Sequence, residues 1–304
     1  MKKNKRKLII IDCNSVIHRA YYALPPLKDK KGEVVNAVYG FLLVFLKALK
    51  EFKPNFITAC FDLPGPTFRH KEFKEYKAKR LKAPEELYQQ MPKVKEVLRL
   101  FNVPVFEKKG FEADDLIGTL STFTEKKGAN LEAIILSGDS DVFQLLNKNV
   151  KVYSLRSGVK NTILYDTEKF KENYGFLPSQ MVDYKALRGD ASDNIPGAPG
   201  VGEKTAIKIL EEFGDIDNLY KNLKKKTDLK ERIKEILIDN KKQVLLSRYL
   251  AKIKLDVPLK FNIKDGEWNK YNKEKVIRYF EKMGFESLIK RIPGEENRGK
   301  LKLW

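Results

Sequence analysis

Cysteine and histidine are almost missing from this chain: Cys13, Cys60, His18 and His70 are the only ones in 304 residues. Two cysteines do not make the disulfide framework of a secreted protein, and they read as buried free thiols in a reducing compartment. With neither residue at metal-motif spacing, a zinc site is disfavoured. Long apolar runs are missing too. The longest, Ala37 to Leu46, is too short to cross a bilayer. Met1 to Lys7 is basic, but the apolar run behind it is four residues long and ends in Asp12, which is no signal peptide. The expected location is the cytoplasm, with no membrane partner. Repeats and low-complexity segments do not occur.

Acids are the scarcer charge. Lys and Arg number 60 against 41 Asp and Glu, a formal net charge of +19. A polyanion is the natural partner, nucleic acid ahead of membrane. A hydrophobic fraction of 42 % supports a real core and excludes disorder as the default.

Against that basic background, nine carboxylates fall in five clusters: Asp12; Asp62; Glu112, Asp114 and Asp115; Asp139 and Asp141; Asp190 and Asp193. Three clusters begin where an apolar run stops, after Leu8 to Ile11, Phe56 to Phe61 and Ala133 to Leu136. Such runs read as strands buried on both faces of a parallel sheet, whose carboxyl edge is where ligands bind. A lone Asp there can be a helix N-cap, and Asp114 and Asp115 can be first-turn acids complementing a helix dipole. Repetition argues for more. Two carboxylates ~5 Å apart repel by roughly 3 kcal/mol at an effective dielectric near 20, so the cluster calls for cations. Oxygen-only ligands select Mg²⁺ or Mn²⁺. The chemistry is that of a metal-dependent phosphodiesterase.

Strands alternate with helical patterns over residues 1–180, with helices expected at 35–50, 92–101 and 114–127 and a further strand at 150–155. This is α/β with a mainly parallel sheet and flanking helices. A polar insertion at about 64–91 interrupts it, and connections of that length are usually functional. Within it Phe73, Tyr76, Lys77 and Arg80 are spaced as one face of a helix, either a solvated charged helix or a cationic, aromatic face for single-stranded nucleic acid. Residues 181–292 read as helical and 293–304 as a short tail. The string from Asp193 to Ala206 sets Gly197, Gly200 and Gly202 ahead of a helix starting near Glu203 or Lys204. Glycines let backbone approach a phosphate, and the helix start aims N–H groups at it, as in a helix-hairpin-helix that grips duplex without reading bases.

In combination, Ile11-Asp12-Cys13-Asn14-Ser15, Phe61-Asp62, Phe68-Arg69-His70, Tyr76-Lys77-Ala78-Lys79-Arg80, Gly110 to Asp115, Ser137 to Asp141 and Gly189 to Gly197 resemble one family. It is the 5′ nuclease domain of bacterial DNA polymerase I, within the flap endonuclease and 5′–3′ exonuclease superfamily. The resemblance spans residue 8 to about 290. It implies a PIN-like nuclease core with a helix-hairpin-helix (H3TH) region, and a Mg²⁺-dependent 5′–3′ exodeoxyribonuclease and 5′-flap endonuclease of replication and repair. It implies two Mg²⁺ ions, with Mn²⁺ substituting: Asp12, Asp62, Glu112, Asp114 and Asp115 would gather one, Asp139, Asp141, Asp190 and Asp193 the other. Lys77, Arg80 and Lys185 would be catalytic cations. Arg69, Tyr76, Lys77, Lys79, Arg80, Gly197, Gly200, Gly202, Lys204 and Thr205 would touch DNA, the hairpin with a K⁺. The insertion would arch over a free 5′ end. Branched or flapped DNA is the implied substrate, the chain acting as a monomer with a DNA polymerase as partner, either free-standing or excised from it. Departures are mild, with Cys13 in place of a usual glycine and His18 in place of an aromatic. A binding module without catalysis would have lost site acids, and none is lost; an RNA-directed nuclease sits poorly with a duplex-gripping hairpin.

Overall fold

The computed structural model describes residues 5–126, 130–223, 225, 227–268 and 271–293. Its centre is a six-stranded sheet: β1 (Arg6–Asp12), β2 (Phe56–Cys60), β3 (Val105–Phe106), β4 (Leu131–Ser137), β5 (Val150–Ser157) and β6 (Asn161–Tyr165), in the order β3-β2-β1-β4-β5-β6. All neighbours run parallel except β6, which pairs antiparallel with β5. Register places Asp12 beside Cys60 and Ile11 beside Leu136. Asp12, Asp62 and Asp139 therefore leave the sheet at one edge.

Alternate residues of β1 feed two apolar clusters. Ile9 and Ile11 pack with Phe41 and Phe45 of the helix Asn36–Phe52 and with Val97 of the helix Met91–Leu100. Leu8 and Ile10 pack on the other face with Leu116, Ile117 and Phe143. Cys13 and Cys60 are both buried and free.

One expectation about extent changes. The helix through Asp114 spans Ala113–Ser121 and tightens into a 3₁₀ turn at Thr122–Glu125; Lys127 lies outside the described residues. Ser121, Thr122 and Thr124 hydroxyls donate back to the carbonyls of Gly118, Thr119 and Ser121, which competes with helix propagation. Residues 181–292, expected as a helical region, pack into the same apolar clusters as the sheet. Leu187, Ala206 and Ile209 join the same cluster as Leu8 and Ile10, while Val276, Phe280 and Phe285 return to the opposite face beside Phe41. Residues 294–304 of the expected tail lie outside the described residues. No helix among the described residues is long and apolar enough to cross a membrane.

Candidate metal and nucleic-acid site

The strand ends and two helix starts bring the acids together. Asp12 does cap the helix Cys13–Ala23, accepting from Ser15 N–H at 3.1 Å, while its other oxygen accepts from Ser137 Oγ at 2.5 Å. Asp62 accepts from Ala113 N–H at 2.7 Å, which ties the end of β2 to the start of the acidic helix. Asp139 accepts from Asp141 N–H at 3.0 Å.

The acids divide by how they are neutralised. Lys185 pairs with Asp141 and, at 2.6 Å, with Asp190. Lys77 Nζ lies 2.9 Å from Glu112 and 3.6 Å from Asp193, and Arg80 2.8 Å from Asp193. Asp12, Asp62, Asp114 and Asp139 have no ion-pair partner among the described residues, and all four line a cleft of about 1420 Å³. Burial pushes Asp12 up to about 7, with Asp139 and Asp62 adding to it. Asp114 is driven well above the usual carboxylate range by burial and then by Asp12, Asp139 and Asp141. Burial raises Asp141 to about 7 against the pull of Lys185. At Asp190 burial is outweighed by Lys185 and Ser192, which hold the carboxyl at about 2. The donor set is all oxygen, the chemistry of Mg²⁺ or Mn²⁺. Among the described residues no three acids converge tightly enough to enclose an ion unaided.

Three expected site residues, Tyr76, Arg69 and Asp115, are placed differently, and the expected helical face does not form. The insertion has a short helix, Phe68–Glu72, and then turns, so Phe73, Tyr76, Lys77 and Arg80 share no helical face. Tertiary bonds override the helical spacing: Lys77 N–H donates to Asp193 O at 2.9 Å, Asn194 Nδ2 to Glu75 O at 2.7 Å, and Lys77 adopts φ 57°. Tyr76 turns inward, its hydroxyl donating to Glu112 and Asp193 at 3.1 and 3.0 Å, so its ring is no stacking platform for a base. Arg69, expected on DNA, is 2 % exposed. Its five N–H groups go to Asp115, Glu112 and the carbonyls of Leu250 and Lys252. Asp115, expected on a metal, is fully buried with both oxygens gripped by that guanidinium. Lys79 is exposed and Thr205 half-buried, both open to a ligand.

The hairpin joins the helices Met181–Arg188 and Glu203–Phe213. Gly197 has φ 63°, and a Cβ there would sit 2.2 Å from Gly189 N, so it is fixed by packing. Gly202 is different: its φ is −85° and a Cβ would meet nothing within 4 Å. Open space in front of free helix N–H groups is what an approaching phosphate needs. Gly202→Val is therefore expected to leave the melting temperature within a degree or two, yet weaken binding to every duplex sequence alike. Gly197→Ala should instead destabilise the fold. Calorimetry beside equilibrium binding in Ca²⁺ separates the two, and a sequence-dependent loss for Gly202→Val would contradict the assignment.

Family comparisons match both parts of the chain: "5'-3' exonuclease, N-terminal resolvase-like domain" over residues 7–175 and "5'-3' exonuclease, C-terminal SAM fold" over 176–274. The chain belongs to the 5′–3′ exonuclease family. It is 42 % identical over 293 residues to DNA polymerase I of Bacillus subtilis (strain 168), covering 96 % of this chain and 33 % of that protein. It is 41 % identical over 289 residues to DNA polymerase I of Bacillus caldotenax, covering 95 % and 32 %. The chain thus spans about a third of the length of these relatives. Among solved structures, the fold matches T5 D15 protein co-crystallized with metal ions (TM-score 0.66, 19 % identity, 81 % of this chain and 89 % of that one). It also matches the catalytic core of Rad2 in complex with DNA substrate (TM-score 0.56, 17 % identity, 93 % and 88 %).

Three supports of this exonuclease-family site had no signal strong enough to single them out. Ser137 Oγ links Asp12 to Asp139, whose N–H it accepts at 2.9 Å. Asn14 Oδ1 accepts Asp62 N–H at 3.0 Å, and Arg19 donates to Gly138 O at 2.7 Å. Asn14 and Ser137 each neighbour a motif acid, which was the available clue.

Proposed function

We propose that this chain is a structure-specific 5′ nuclease, a 5′–3′ exodeoxyribonuclease and 5′-flap endonuclease, that hydrolyses DNA with two Mg²⁺ ions, Mn²⁺ substituting. One observation carries it: Asp12, Asp62, Asp114 and Asp139 line a cleft without ion-pair partners among the described residues, and Lys77 and Arg80 of the insertion line the same cleft. Bound divalent ions would supply a water of lowered pKa and stabilise the attacking and leaving oxygens. The acids without ion-pair partners among the described residues, with Glu112, would hold them, and Asp141, Asp190 and Asp193, here paired with Lys185, Lys77 and Arg80, would join in part through water. Asp115 is left out of this set. Lys77 and Arg80 orient the 5′ strand and balance the phosphate charge, while Lys185 holds Asp141 and Asp190 in place. The glycine hairpin, with Lys204 and Thr205 and a K⁺, holds the downstream duplex. Flapped DNA with a free 5′ end is the substrate, in replication and repair, with linkage to a polymerase as in the relatives.

The direct test is a Mg²⁺ titration on end-labelled 5′-flap DNA after EDTA treatment. Cleavage should vanish without metal and return with it. The melting temperature should also rise with Mg²⁺, because binding the folded state at ~100 times Kd stabilises it by ~2.7 kcal/mol. Full cleavage by the stripped protein would sink the proposal.

A further inference from the structure

A run of buried and half-buried hydrogen bonds joins the duplex-gripping hairpin to the acids. Gly197 donates its N–H to Ser247 Oγ at 3.0 Å and accepts from Gln243 Nε2 at 2.7 Å, both on the helix Lys241–Ala251. Where that helix ends, Arg69 donates to Leu250 O and Lys252 O at 2.8 and 2.9 Å. The same guanidinium holds both oxygens of Asp115 at 2.9 Å. Asp115 neighbours Asp114 on the acidic helix and also accepts from Lys254 N–H at 2.8 Å. Gln144, in the turn Asp141–Leu145, makes a parallel tie, donating to Ala251 O at 3.1 Å and accepting from Ile253 N–H at 2.9 Å. Ser247 and Asp115 are fully buried.

We propose that this relay, centred on the Arg69–Asp115 pair, sets the cleavage register. By register is meant the distance in nucleotides between the duplex held at the hairpin and the phosphodiester presented to the acids. The inference rests on the nuclease reading above. Its physical basis is stiffness. Each link is directional, the central ones at Ser247 Oγ and between Arg69 and Asp115 are buried, and the bidentate Arg–carboxylate geometry fixes angle as well as distance. Successive nucleotides of one strand are ~3.4 Å apart, so slack of that size moves the cut by one position. A misplacement of ~1 Å already costs ~10²-fold at the original phosphodiester. Asp115 acts here as a positioning residue, through Arg69.

Two variants test it in the full chain. Arg69→Gln combined with Asp115→Asn removes both buried charges together, which avoids leaving one uncompensated. Gln144→Leu keeps the ion pair and breaks the parallel tie, so it carries the same expectation if the double variant does not fold. Single-turnover cleavage of a 5′-flap DNA with a fixed junction is resolved to single nucleotides. The wild type should cut at one dominant position. Each variant should add products about one nucleotide to either side, and the original product should form ~10²-fold more slowly for the double variant. The Mg²⁺ concentration for half-maximal rate and duplex affinity in Ca²⁺ should stay within a few-fold. Unchanged product lengths with a slower rate would reduce the relay to ordinary scaffolding and overturn the inference. A much higher Mg²⁺ requirement in Asp115→Asn alone would overturn it by making Asp115 a ligand. A wild type that cuts no flap DNA would overturn the nuclease reading itself, a result distinguishable from both.

Discussion

Asp114→Asn is expected to move activity and stability in opposite directions. Turnover with Mg²⁺ should fall by ~10³-fold, the upper end for removing one preorganised electrostatic group. The metal-free protein should meanwhile melt higher. Asp114 makes no ion pair among the described residues, and burial together with Asp12, Asp139 and Asp141 penalises its charge. An amide of the same shape relieves that repulsion, and each kcal/mol relieved raises the midpoint by about 1.6 °C in a chain of 304 residues. Destabilised active sites of this kind are a recognised trade of stability for function. The measurement is scanning calorimetry in EDTA beside flap cleavage in Mg²⁺. A variant that loses activity and also melts lower would show that Asp114 is a structural acid and leave the metal reading without its central ligand.

The second large effect is at Lys77. Its amine sits 2.9 Å from Glu112 and 3.6 Å from Asp193, at the mouth of the cleft. Burial works against its charge, but Glu112 and Asp193 outweigh it and hold the ammonium firmly protonated. In the proposed reaction a cation there would stabilise charge that grows on the phosphate as the bond breaks, so its loss should lower kcat more than affinity. Lys77→Ala should bind flap DNA within a few-fold of wild type and cleave it ~10²-fold more slowly or worse. The backbone is a fair control, since alanine at φ 57° is no more strained than lysine and the N–H bond to Asp193 O is kept. Single-turnover cleavage alongside equilibrium binding decides it. A loss confined to binding would make the insertion a passive electrostatic patch.

What could be read from the sequence was set by burial on both faces. β1, β2 and β4 are almost wholly buried, so their apolar runs are unbroken and end where the acids begin. β6 escaped notice because it is an edge strand, partly exposed and polar at its start. The insertion was misread because helical spacing is a local signal, whereas the turns at 74–79 are held by residues more than a hundred positions away. Arg69 and Asp115 show the same limit at the site. Their residue types fit DNA and metal, and only the carbonyls of Leu250 and Lys252 reveal that the arginine is already satisfied. The open acids were legible as a set. Their division into cation-tied and cleft-facing groups was not, because it depends on where Arg69, Lys77, Arg80 and Lys185 land.

The shared core has an evolutionary consequence. Two separate family descriptions meet at residues 175 and 176, as though the halves were interchangeable parts. Yet Leu187, Ala206 and Ile209 complete the packing around Leu8 and Ile10, and Phe280 and Phe285 close the other side. A recombination event that exchanged either half would have to recut a jigsaw boundary running through both layers of the molecule. Either half taken alone would leave bare the apolar faces that the other now covers along that seam.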